Sequence, residues 1–211
     1  MNQQPRFIVL DGIDGAGKSS QIMPLAQWLR SIGQCVVTCR DPGSTLTGDS
    51  IRSILLDRRD LAVSLVAEML LYMAARAQLV SEVIRPALDR GSWVISDRFL
   101  LSNVVYQGHA GGLDPESIRR VGAIATGGLE PDLTILLDLD PVHAADRISR
   151  PLDKLEERGE AYRASVRAGY CAEASRFQEN TVMIDASGGF AEVAASICRL
   201  VSSRYSLEKD V

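Results

Sequence analysis

The sequence predicts an α/β fold in which a five-stranded parallel sheet lies between two layers of helices. Five short apolar runs alternate with longer segments of helical periodicity, as in chains built from β-α-β units. The runs are almost continuous in Val, Ile and Leu, which is typical of strands covered on both faces. Of the 211 residues, 46% are hydrophobic and 24% are charged, the balance of an ordinary globular chain.

The predicted strands are the apolar runs themselves, each bounded by charged or turn-forming residues. They cover residues 7–11, 35–40, 92–97, 133–139 and 181–185. Parallel strands need crossover connections of a dozen residues or more, and the intervening segments are long enough to supply them. We therefore expect every strand to run in the same direction.

The predicted helices follow from apolar residues spaced three or four apart. The first carries Pro24, ends at Gly33 and has the stripe Ile22, Leu25, Leu29 and Ile32. Residues 61–90 predict a long apolar helix with a kink or break at Pro86, and residues 190–205 predict a final amphipathic helix. Since no repeat or Pro-, Gly- or Ser-rich linker divides the chain, we expect one domain over residues 1–211.

Charge and composition exclude several classes of protein. The net charge is −4 and the isoelectric point about 5.3, which argues against a stable nucleic-acid partner or a general membrane-surface binder. No apolar run approaches the ~20 residues of a membrane helix, and no secretory signal is apparent, so we expect a cytoplasmic protein. The four cysteines form no CxxC pair, which favours buried free thiols.

A glycine-rich loop carries the strongest motif of the chain. Residues 12–19 fit GxxxxGK[ST] between a predicted strand and a predicted helix, as in the P-loop NTPase-type three-layer sandwich. Glycines let main-chain N–H groups surround phosphate oxygens, and the helix N-terminus adds partial positive charge. The alternative is a glycine-rich turn that only caps a helix. The predicted ATP-binding residues of this loop are Gly12, Ile13, Asp14, Gly15, Ala16, Gly17, Lys18, Ser19 and Ser20.

A second acidic residue is expected for a metal ion bound beside the nucleotide. Asp97 ends an apolar strand in the manner of a Walker B carboxylate, so we predict that Ser19 and Asp97 hold Mg²⁺. The alternative is that Asp97 only caps a turn. Asp138 is a rival carboxylate at another strand end, for which structural support beside the site is the better interpretation.

The motifs that are absent narrow the function. A GTPase would be expected to carry an NKxD-type guanine motif, which this sequence lacks, and motor or transporter ATPases are usually larger with additional motifs. A small P-loop domain with a further basic region in its later half is typical of a kinase for a small acceptor.

Taken in order, the motifs resemble those of the thymidylate kinases, from about Arg6 to Arg204. They are LDGIDGAGKSSQ (10–21), RDPGST (40–45), LYMAARAQL (71–79), SDRFLLSNVVYQG (96–108), PDLTILLDL (131–139) and LDKLE (152–156). The resemblance implies Mg²⁺-dependent transfer of the γ-phosphoryl group of ATP to dTMP, giving dTDP and ADP. It also implies a homodimer, and the long apolar helix 61–85 is consistent with one.

The acceptor residues are predicted from spacing and chemistry together with the resemblance. Tyr72 and Arg76 are four apart and share a helix face, which suits stacking on a base and donation to a pyrimidine carbonyl. Core packing is the alternative for Tyr72. Arg98 is expected to hold the acceptor phosphate through a bidentate fork. The resemblance implies that the loop with Arg40 and Pro42 approaches the monophosphate.

The segment after Arg98 supplies the remaining acceptor contacts. Asn103 offers both a donor and an acceptor to a base edge, and Gln107 is expected to add a hydrogen bond to the base. The resemblance implies that Tyr106 crowds the sugar 2′ position and excludes ribose. Ser102 belongs to the same predicted substrate set. Asp41 and Phe99 depart from the residues usual in the family, and the role of Asp41 is left open.

A lid is predicted at about residues 146–159. Gly15 stands where some relatives have an arginine, and the resemblance implies that a mobile lid then supplies the missing charge through Arg147 and Arg150 to ATP. A solvated, charged helix and loop is the alternative. Asp14 is expected to orient Arg98 or the metal. The predicted catalytic set is therefore Lys18, Arg98, Asp14, Arg150 and Arg147.

Two other functions are compatible with this sequence. One is a small-acceptor P-loop kinase that acts on a different nucleotide or on a deoxynucleoside, since it would share the donor half. The other is a nucleotide-binding regulator without turnover. An intact Lys18, Ser19, Asp97 and Arg98 argues against the regulator.

Overall fold

The sheet has five parallel strands in the order β2-β3-β1-β4-β5 in the computed structural model, which describes residues 4–148 and 158–207. The strands are β1 (Phe7–Gly12), β2 (Val36–Arg40), β3 (Trp93–Asp97), β4 (Leu133–Asp138) and β5 (Thr181–Asp185). All five predicted strands are confirmed within about one residue at each end. Their near-continuous apolar character reflects burial between helices on both faces.

Nine α-helices and two short π-helical segments accompany the sheet in the described part of the chain. The α-helices are α1 (Lys18–Ser31), α2 (Leu46–Leu56), α3 (Leu65–Leu79), α4 (Arg85–Asp89), α5 (Leu100–Asn103), α6 (Pro115–Thr126), α7 (Pro141–Asp146), α8 (Glu160–Arg176) and α9 (Phe190–Tyr205). The π-helical segments are Val80–Ile84 and Val104–His109. The final helix begins and ends at the predicted residues.

The predicted helix over residues 61–90 is wrong at its start and interrupted near its end. Helix α3 begins at Leu65 because the Ser64 hydroxyl accepts a hydrogen bond from the Ala67 amide and caps it. Pro86 lies in the first turn of α4, directly after the π-helical segment Val80–Ile84. The first turn of a helix tolerates proline, since that position needs no intrahelical N–H bond.

Side chains of the central strand β1 alternate between two apolar clusters, one on each face of the sheet. Ile8 and Leu10 pack in a cluster that includes residues of α1 and α9. Phe7 and Val9 pack in a second cluster with residues of α3, of the following π-helical segment and of α4. This period-two alternation establishes the predicted three-layer arrangement of helix, sheet and helix.

All four cysteines are free, and their positions correct one expectation. Cys39 and Cys198 are buried, but Cys35 is exposed, so the thiols do not all lie in the core. Within residues 4–148 and 158–207, no helix is both long and apolar enough to cross a membrane.

Candidate active site

A cleft of about 850 Å³ opens at the carboxyl ends of the strands. The parallel register places Leu10 of β1 beside Asp97 of β3, and Arg40 of β2 beside Asp97 on its other side. The P-loop follows β1 at the centre of this edge. Loops that leave parallel strands meet at this edge of a sheet, which is where open α/β sheets bind ligands. The cleft therefore lies where the sequence motifs predict it.

Three glycines of the P-loop adopt backbone angles that disfavour a side chain. Gly12, Gly15 and Gly17 have φ values of +136°, +84° and +93°. A Cβ atom at Gly12 would lie 2.5 Å from the Leu137 carbonyl oxygen, and one at Gly15 would lie 2.0 Å from that of Ala144. A Cβ at Gly17 would meet nothing within 4 Å. The lack of a side chain at Gly12 and Gly15 thus lets the main chain at Leu137 and Ala144 lie against the P-loop. Gly17 is needed only for its positive φ, which turns the loop into α1.

Lys18 is buried at the floor of the cleft, with 6% of its surface exposed. Its Nζ donates to the Ile13 carbonyl oxygen at 2.7 Å and lies 3.8 Å from Asp14 Oδ1. Burial lowers the pKa of Lys18, and the nearby Arg98 guanidinium lowers it further against the opposing effect of Asp14. A cation held in this way stabilises added negative charge at short range.

Ser19 and Asp97, the two predicted metal ligands, lie in contact with each other, and their binding of a metal ion stays a prediction. Ser19 Oγ donates to Asp97 Oδ2 at 2.5 Å, although the two residues are 78 positions apart in the sequence. Asp138, the rival carboxylate, instead accepts from Arg167 Nε at 2.8 Å and Nη2 at 2.9 Å. Its predicted structural role is therefore the one its contacts support, and it does not line the cleft.

Arg98 lies at the centre of a hydrogen-bond network and keeps 16% of its side chain exposed. Its backbone is left-handed, with φ +70°. Its Nη1 donates to Asp11 Oδ1 at 3.1 Å and to the Gly12 carbonyl, Ser102 Oγ and the Tyr170 hydroxyl at 3.0 Å each. Charge, main chain and two hydroxyls together fix the orientation of the guanidinium group.

Asp14 holds the other nitrogen of Arg98. The Asp14 carboxylate accepts from Arg98 Nη2 and, through Oδ2, from the Tyr106 hydroxyl at 2.8 Å. Burial alone would raise the pKa of Asp14, but the charges of Arg98 and Lys18 and the hydrogen bonds to the carboxylate hold it well below its ordinary value. Asp14 was predicted to orient either Arg98 or the metal ion, and its hydrogen bond with Arg98 supports the first of these roles.

Arg76 is 1% exposed and forms a buried ion pair that the sequence did not predict. Its Nε donates to Asp41 Oδ2 at 2.5 Å, and its Nη2 donates to the Phe99 carbonyl oxygen at 3.3 Å. Burial raises the pKa of Asp41, and the Arg76 charge opposes that rise. The open question about Asp41 is answered structurally, because this carboxylate orients Arg76. Donation by Arg76 to a base stays a prediction.

The side chains that are predicted to contact the base come from three elements. Tyr72 lies on α3, whereas Asn103 ends α5 and Gln107 lies in the following π-helical segment. Tyr72 belongs to the main apolar cluster and also lines the cleft, so both of its predicted roles are structurally compatible. Asn103 Nδ2 donates to Gln107 Oε1 at 2.8 Å.

Arg40 and Pro42 line the cleft on the side of β2. The Asp41–Pro42 peptide bond is cis, and the turn continues through Gly43 with φ +134°. Arg40 Nη2 pairs with Asp49 Oδ1 at 2.9 Å, and more than half of its side chain is exposed. This turn therefore presents a cation at the rim of the cleft, beside the P-loop.

Arg147 lies at the opposite rim. Its Nη1 donates to the Ala186 carbonyl oxygen at 3.0 Å, which brings it to the loop between β5 and α9. Both residues line the cleft. Arg150 and most of the predicted lid, like Lys154 within it, lie outside the described residues.

Most of the predicted site residues therefore share one cleft. Gly12 and Ile13 contribute from behind it through the carbonyl groups that accept from Arg98 and Lys18. The predicted residues that line it are Asp14, Gly15, Ala16, Gly17, Lys18, Ser19, Ser20, Arg40, Pro42, Tyr72, Arg76, Asp97, Arg98, Ser102, Asn103, Tyr106, Gln107 and Arg147. Their ligand-binding roles stay predictions.

Two residues behind Arg98 escaped the sequence analysis. Asp11 is fully buried at the end of β1, and its Oδ1 accepts from the Tyr170 hydroxyl at 2.6 Å and from Ser102 Oγ at 2.8 Å. The position of Asp11 at a strand end, like that of Asp97, was an available signal. Tyr170 lies on a helix 159 residues away and had none.

Two more residues that sequence reasoning missed, Glu68 and Tyr162, support the segment that carries Tyr106 and Gln107. Glu68 of α3 accepts from Gln107 Nε2 at 2.8 Å through Oε1 and from Arg158 Nη2 at 2.8 Å through Oε2. The neighbouring Tyr162 hydroxyl donates to the Tyr106 carbonyl oxygen at 2.9 Å. These contacts tie Arg158, just before α8, and Tyr162 of α8 to the cleft.

Comparison with known proteins identifies relatives over most of the chain. The family model described as thymidylate kinase matches residues 10–197. The chain is 46% identical to the thymidylate kinase of Rhodopirellula baltica, covering 92% of this chain and 79% of the relative. It is 47% identical to that of Leifsonia xyli, covering 94% and 96%. The crystal structure of thymidylate kinase from Ehrlichia chaffeensis is 27% identical with a TM-score of 0.75, covering 93% of this chain and 98% of that one.

Proposed function

The chain belongs to the thymidylate kinase family, and on that premise we propose that it transfers the γ-phosphoryl group of ATP to the 5′-phosphate of dTMP, giving dTDP and ADP. One observation carries the proposal. A single cleft is lined by a P-loop with a buried lysine, by a guanidinium that Asp14 of this loop orients, and by the paired amides of Asn103 and Gln107. Such a cleft suits two phosphate-bearing molecules placed end to end.

The donor end binds the triphosphate of ATP. Main-chain N–H groups of the P-loop and the N-terminus of α1 surround the phosphates, while Lys18 reaches the β- and γ-phosphates. Lys18 is buried, so water screens its charge from the transferring group only weakly. Arg147 approaches from the rim beside the β5–α9 loop.

The acceptor end binds dTMP. Arg98 holds the 5′-phosphate, and Asp14, Asp11 and two hydroxyls keep its guanidinium in position. An oxygen of that phosphate attacks the γ-phosphorus, and the bond to the β–γ bridging oxygen breaks as ADP leaves. The attacking oxygen is already anionic, so catalysis needs positioning and charge neutralisation rather than a strong base.

Magnesium fits the donor set. Ser19 and Asp97 present two hard oxygen atoms in contact with each other, and the described residues hold no cluster of three His, Cys, Asp or Glu side chains. Mg²⁺ typically takes one or two protein ligands and completes its shell with water and substrate phosphates. When bound there, it neutralises phosphate charge. Ser19 and Asp97 would hold it directly or through water.

We also propose a lid at about residues 146–159 that closes over ATP, in which Arg147 and Arg150 supply positive charge. One domain over residues 1–211 carries both halves of the site. The free thiols favour the cytoplasm as its location. Closure would exclude water, which otherwise competes with dTMP for the γ-phosphoryl group.

A homodimer is proposed through helix α3. Val66 and Leu70 are four residues apart on one face of this helix, and each is about half exposed. Leu61, just before the helix, adds a third exposed apolar side chain. Sedimentation at several concentrations tests the proposal, and Leu70→Lys is expected to shift the chain to monomers. Ile124→Lys, at an exposed apolar residue of α6, is the matched control.

An acceptor panel tests the function. ADP release is measured with dTMP, dUMP, dCMP, dGMP and the ribose analogue of dTMP in parallel, with Mg²⁺ and ATP in each reaction. We expect dTMP to be the best acceptor and the ribose analogue to be poor. Preference for another nucleotide or for a deoxynucleoside would favour the other small-acceptor kinase. ATP binding without ADP release for any acceptor would favour the non-catalytic regulator.

A further inference from the structure

A chain of hydrogen bonds runs from Arg158, just before α8, through the pocket that is predicted to hold the base. Arg158 Nη2 donates to Glu68 Oε2, Gln107 Nε2 donates to Glu68 Oε1, and Asn103 Nδ2 donates to Gln107 Oε1, each at 2.8 Å. Glu68 is 9% exposed, and both Asn103 and Gln107 are 1% exposed. The Asn103 Oδ1 atom at the end of the chain is buried and has no partner among the described residues.

The direction of this chain is set at Glu68. A carboxylate paired with an arginine accepts hydrogen bonds and cannot donate them. It therefore selects the NH₂ group of Gln107, which turns the Gln107 oxygen towards Asn103. That oxygen in turn selects the NH₂ group of Asn103. The atom left over is Asn103 Oδ1, a hydrogen-bond acceptor in a residue that lines the cleft.

An unpaired buried acceptor costs free energy unless a ligand supplies a donor. Among pyrimidines, thymine and uracil carry an N3–H donor, whereas cytosine has an unprotonated N3 that only accepts. A pocket that offers an oxygen at this position matches the first two and repels the third. If Asn103 instead presented its NH₂ group to the base, the pocket would favour cytosine, whose N3 accepts a hydrogen bond.

We propose that Glu68 is a positioning residue that fixes the orientation of Gln107 and Asn103 and thereby makes the pocket select pyrimidines with an N3–H group over cytosine. The proposal rests on the proposed function for the presence of a pyrimidine nucleotide in this pocket. Glu68 acts through Gln107 and Asn103 and need not touch the base itself.

Glu68→Gln tests the proposal, because an amide at position 68 can donate as well as accept and no longer fixes the direction of the chain. Binding of dTMP, dUMP and dCMP to the full chain is measured by calorimetry. We expect the ratio of dTMP to dCMP affinity to fall about tenfold or more. The ratio of dTMP to dUMP affinity should stay unchanged, since both bases present the same N3–H edge.

The double variant Glu68→Gln/Gln107→Glu provides a rescue. It moves the carboxylate, which can only accept, from position 68 to position 107 in the series of hydrogen bonds and keeps the net charge. Asn103 then again donates to a carboxylate and presents Oδ1 to the ligand. Recovery of the preference for dTMP over dCMP supports the proposal that an acceptor at the start of this series of hydrogen bonds orients Asn103. The control Arg158→Lys keeps a cation beside Glu68 and should leave the dTMP-to-dCMP ratio unchanged. An equal fall in this control would overturn the proposal, because general loosening would then explain both.

Two further outcomes are decisive. If Glu68→Gln does not fold, Gln107→Met replaces it, since this variant interrupts the hydrogen bonds between Glu68 and Asn103 and keeps the Glu68–Arg158 pair. The ratio of dTMP to dCMP affinity should again fall. An unchanged ratio in the folded variant overturns the proposal. The binding assay needs no turnover, so absence of ADP release with a normal binding pattern would count against the proposed function and leave the positioning role of Glu68 intact.

Discussion

The two ends of the cleft are built in different ways. At the donor end, one contiguous segment, residues 12–19, supplies main-chain groups and a lysine whose hydrogen bond reaches only as far as Ile13. At the acceptor end, functional side chains are also held by partners that are distant in the sequence: Arg76 by Asp41, 35 positions away, and Arg98 by Asp11, 87 positions away. A phosphate site can therefore be encoded locally, whereas a base and monophosphate site depends on side chains that tertiary structure brings together.

The largest expected effect is at the donor end, for Lys18→Ala. Loss of a desolvated cation beside the transferring group should lower turnover about 10³-fold or more. Burial lowers the pKa of Lys18, so its charge is costly to hold, and the free energy of unfolding should change by only about 1 kcal/mol. Steady-state kinetics and urea unfolding measure the two effects.

Arg199→Ala is the control for this variant, since it removes one exposed cation from α9 away from the cleft. It should retain wild-type turnover. Normal activity of Lys18→Ala would refute the assignment of the donor end.

At the acceptor end, Asp41→Asn should lower the free energy of unfolding in addition to any effect on activity. The change leaves the buried Arg76 guanidinium without its counterion, and breaking a buried pair costs about 3–5 kcal/mol. The double variant Asp41→Asn/Arg76→Met removes both charges and should regain part of that loss. Urea unfolding measures all three proteins. A neutral Asp41→Asn would mean that this end does not depend on its tertiary ion pair.

Two glycine variants refine the description of the donor end. Gly17→Ala introduces a side chain at positive φ into open space and should cost about 1–2 kcal/mol of stability. Gly15→Ala has the same backbone problem and also places Cβ against the Ala144 carbonyl, so it should cost at least ~1 kcal/mol more. Equal costs for the two variants would show that contact with α7 does not constrain the loop.

The smallest expected effect concerns Asp14, where the two ends meet. The pKa of Asp14 is lower in the folded chain than in the unfolded chain, so its contribution to stability is present above the unfolded value of ~3.9 and is lost as the pH falls below it. Asp14→Asn should therefore flatten the loss of stability between about pH 5 and pH 2. Urea unfolding across that range gives the slopes, and parallel slopes for the two proteins would contradict the assignment.

Much of the fold followed from patterns along the chain. The strands were predicted within about a residue because buried parallel strands are continuous apolar runs, and α9 was predicted at both ends from its periodicity. The start of α3 was missed because a single serine cap outweighs an apolar run that extends beyond it. Arg98 was expected to bind phosphate, but no sequence pattern indicated that Tyr170 donates and accepts hydrogen bonds behind it.

Short motifs along the chain specify the phosphate loop, its lysine and the residue types of Ser19 and Asp97, whereas the contact between these two residues depends on the fold. The motifs use main-chain groups and short segments attached to strand ends, so adjacency in the chain is enough to specify them. Tertiary structure alone decided the partners of Arg76, the support behind Arg98 and the direction of the Glu68–Gln107–Asn103 chain. Buried polar groups must be paired, and their partners come from whichever element the fold brings within hydrogen-bond distance.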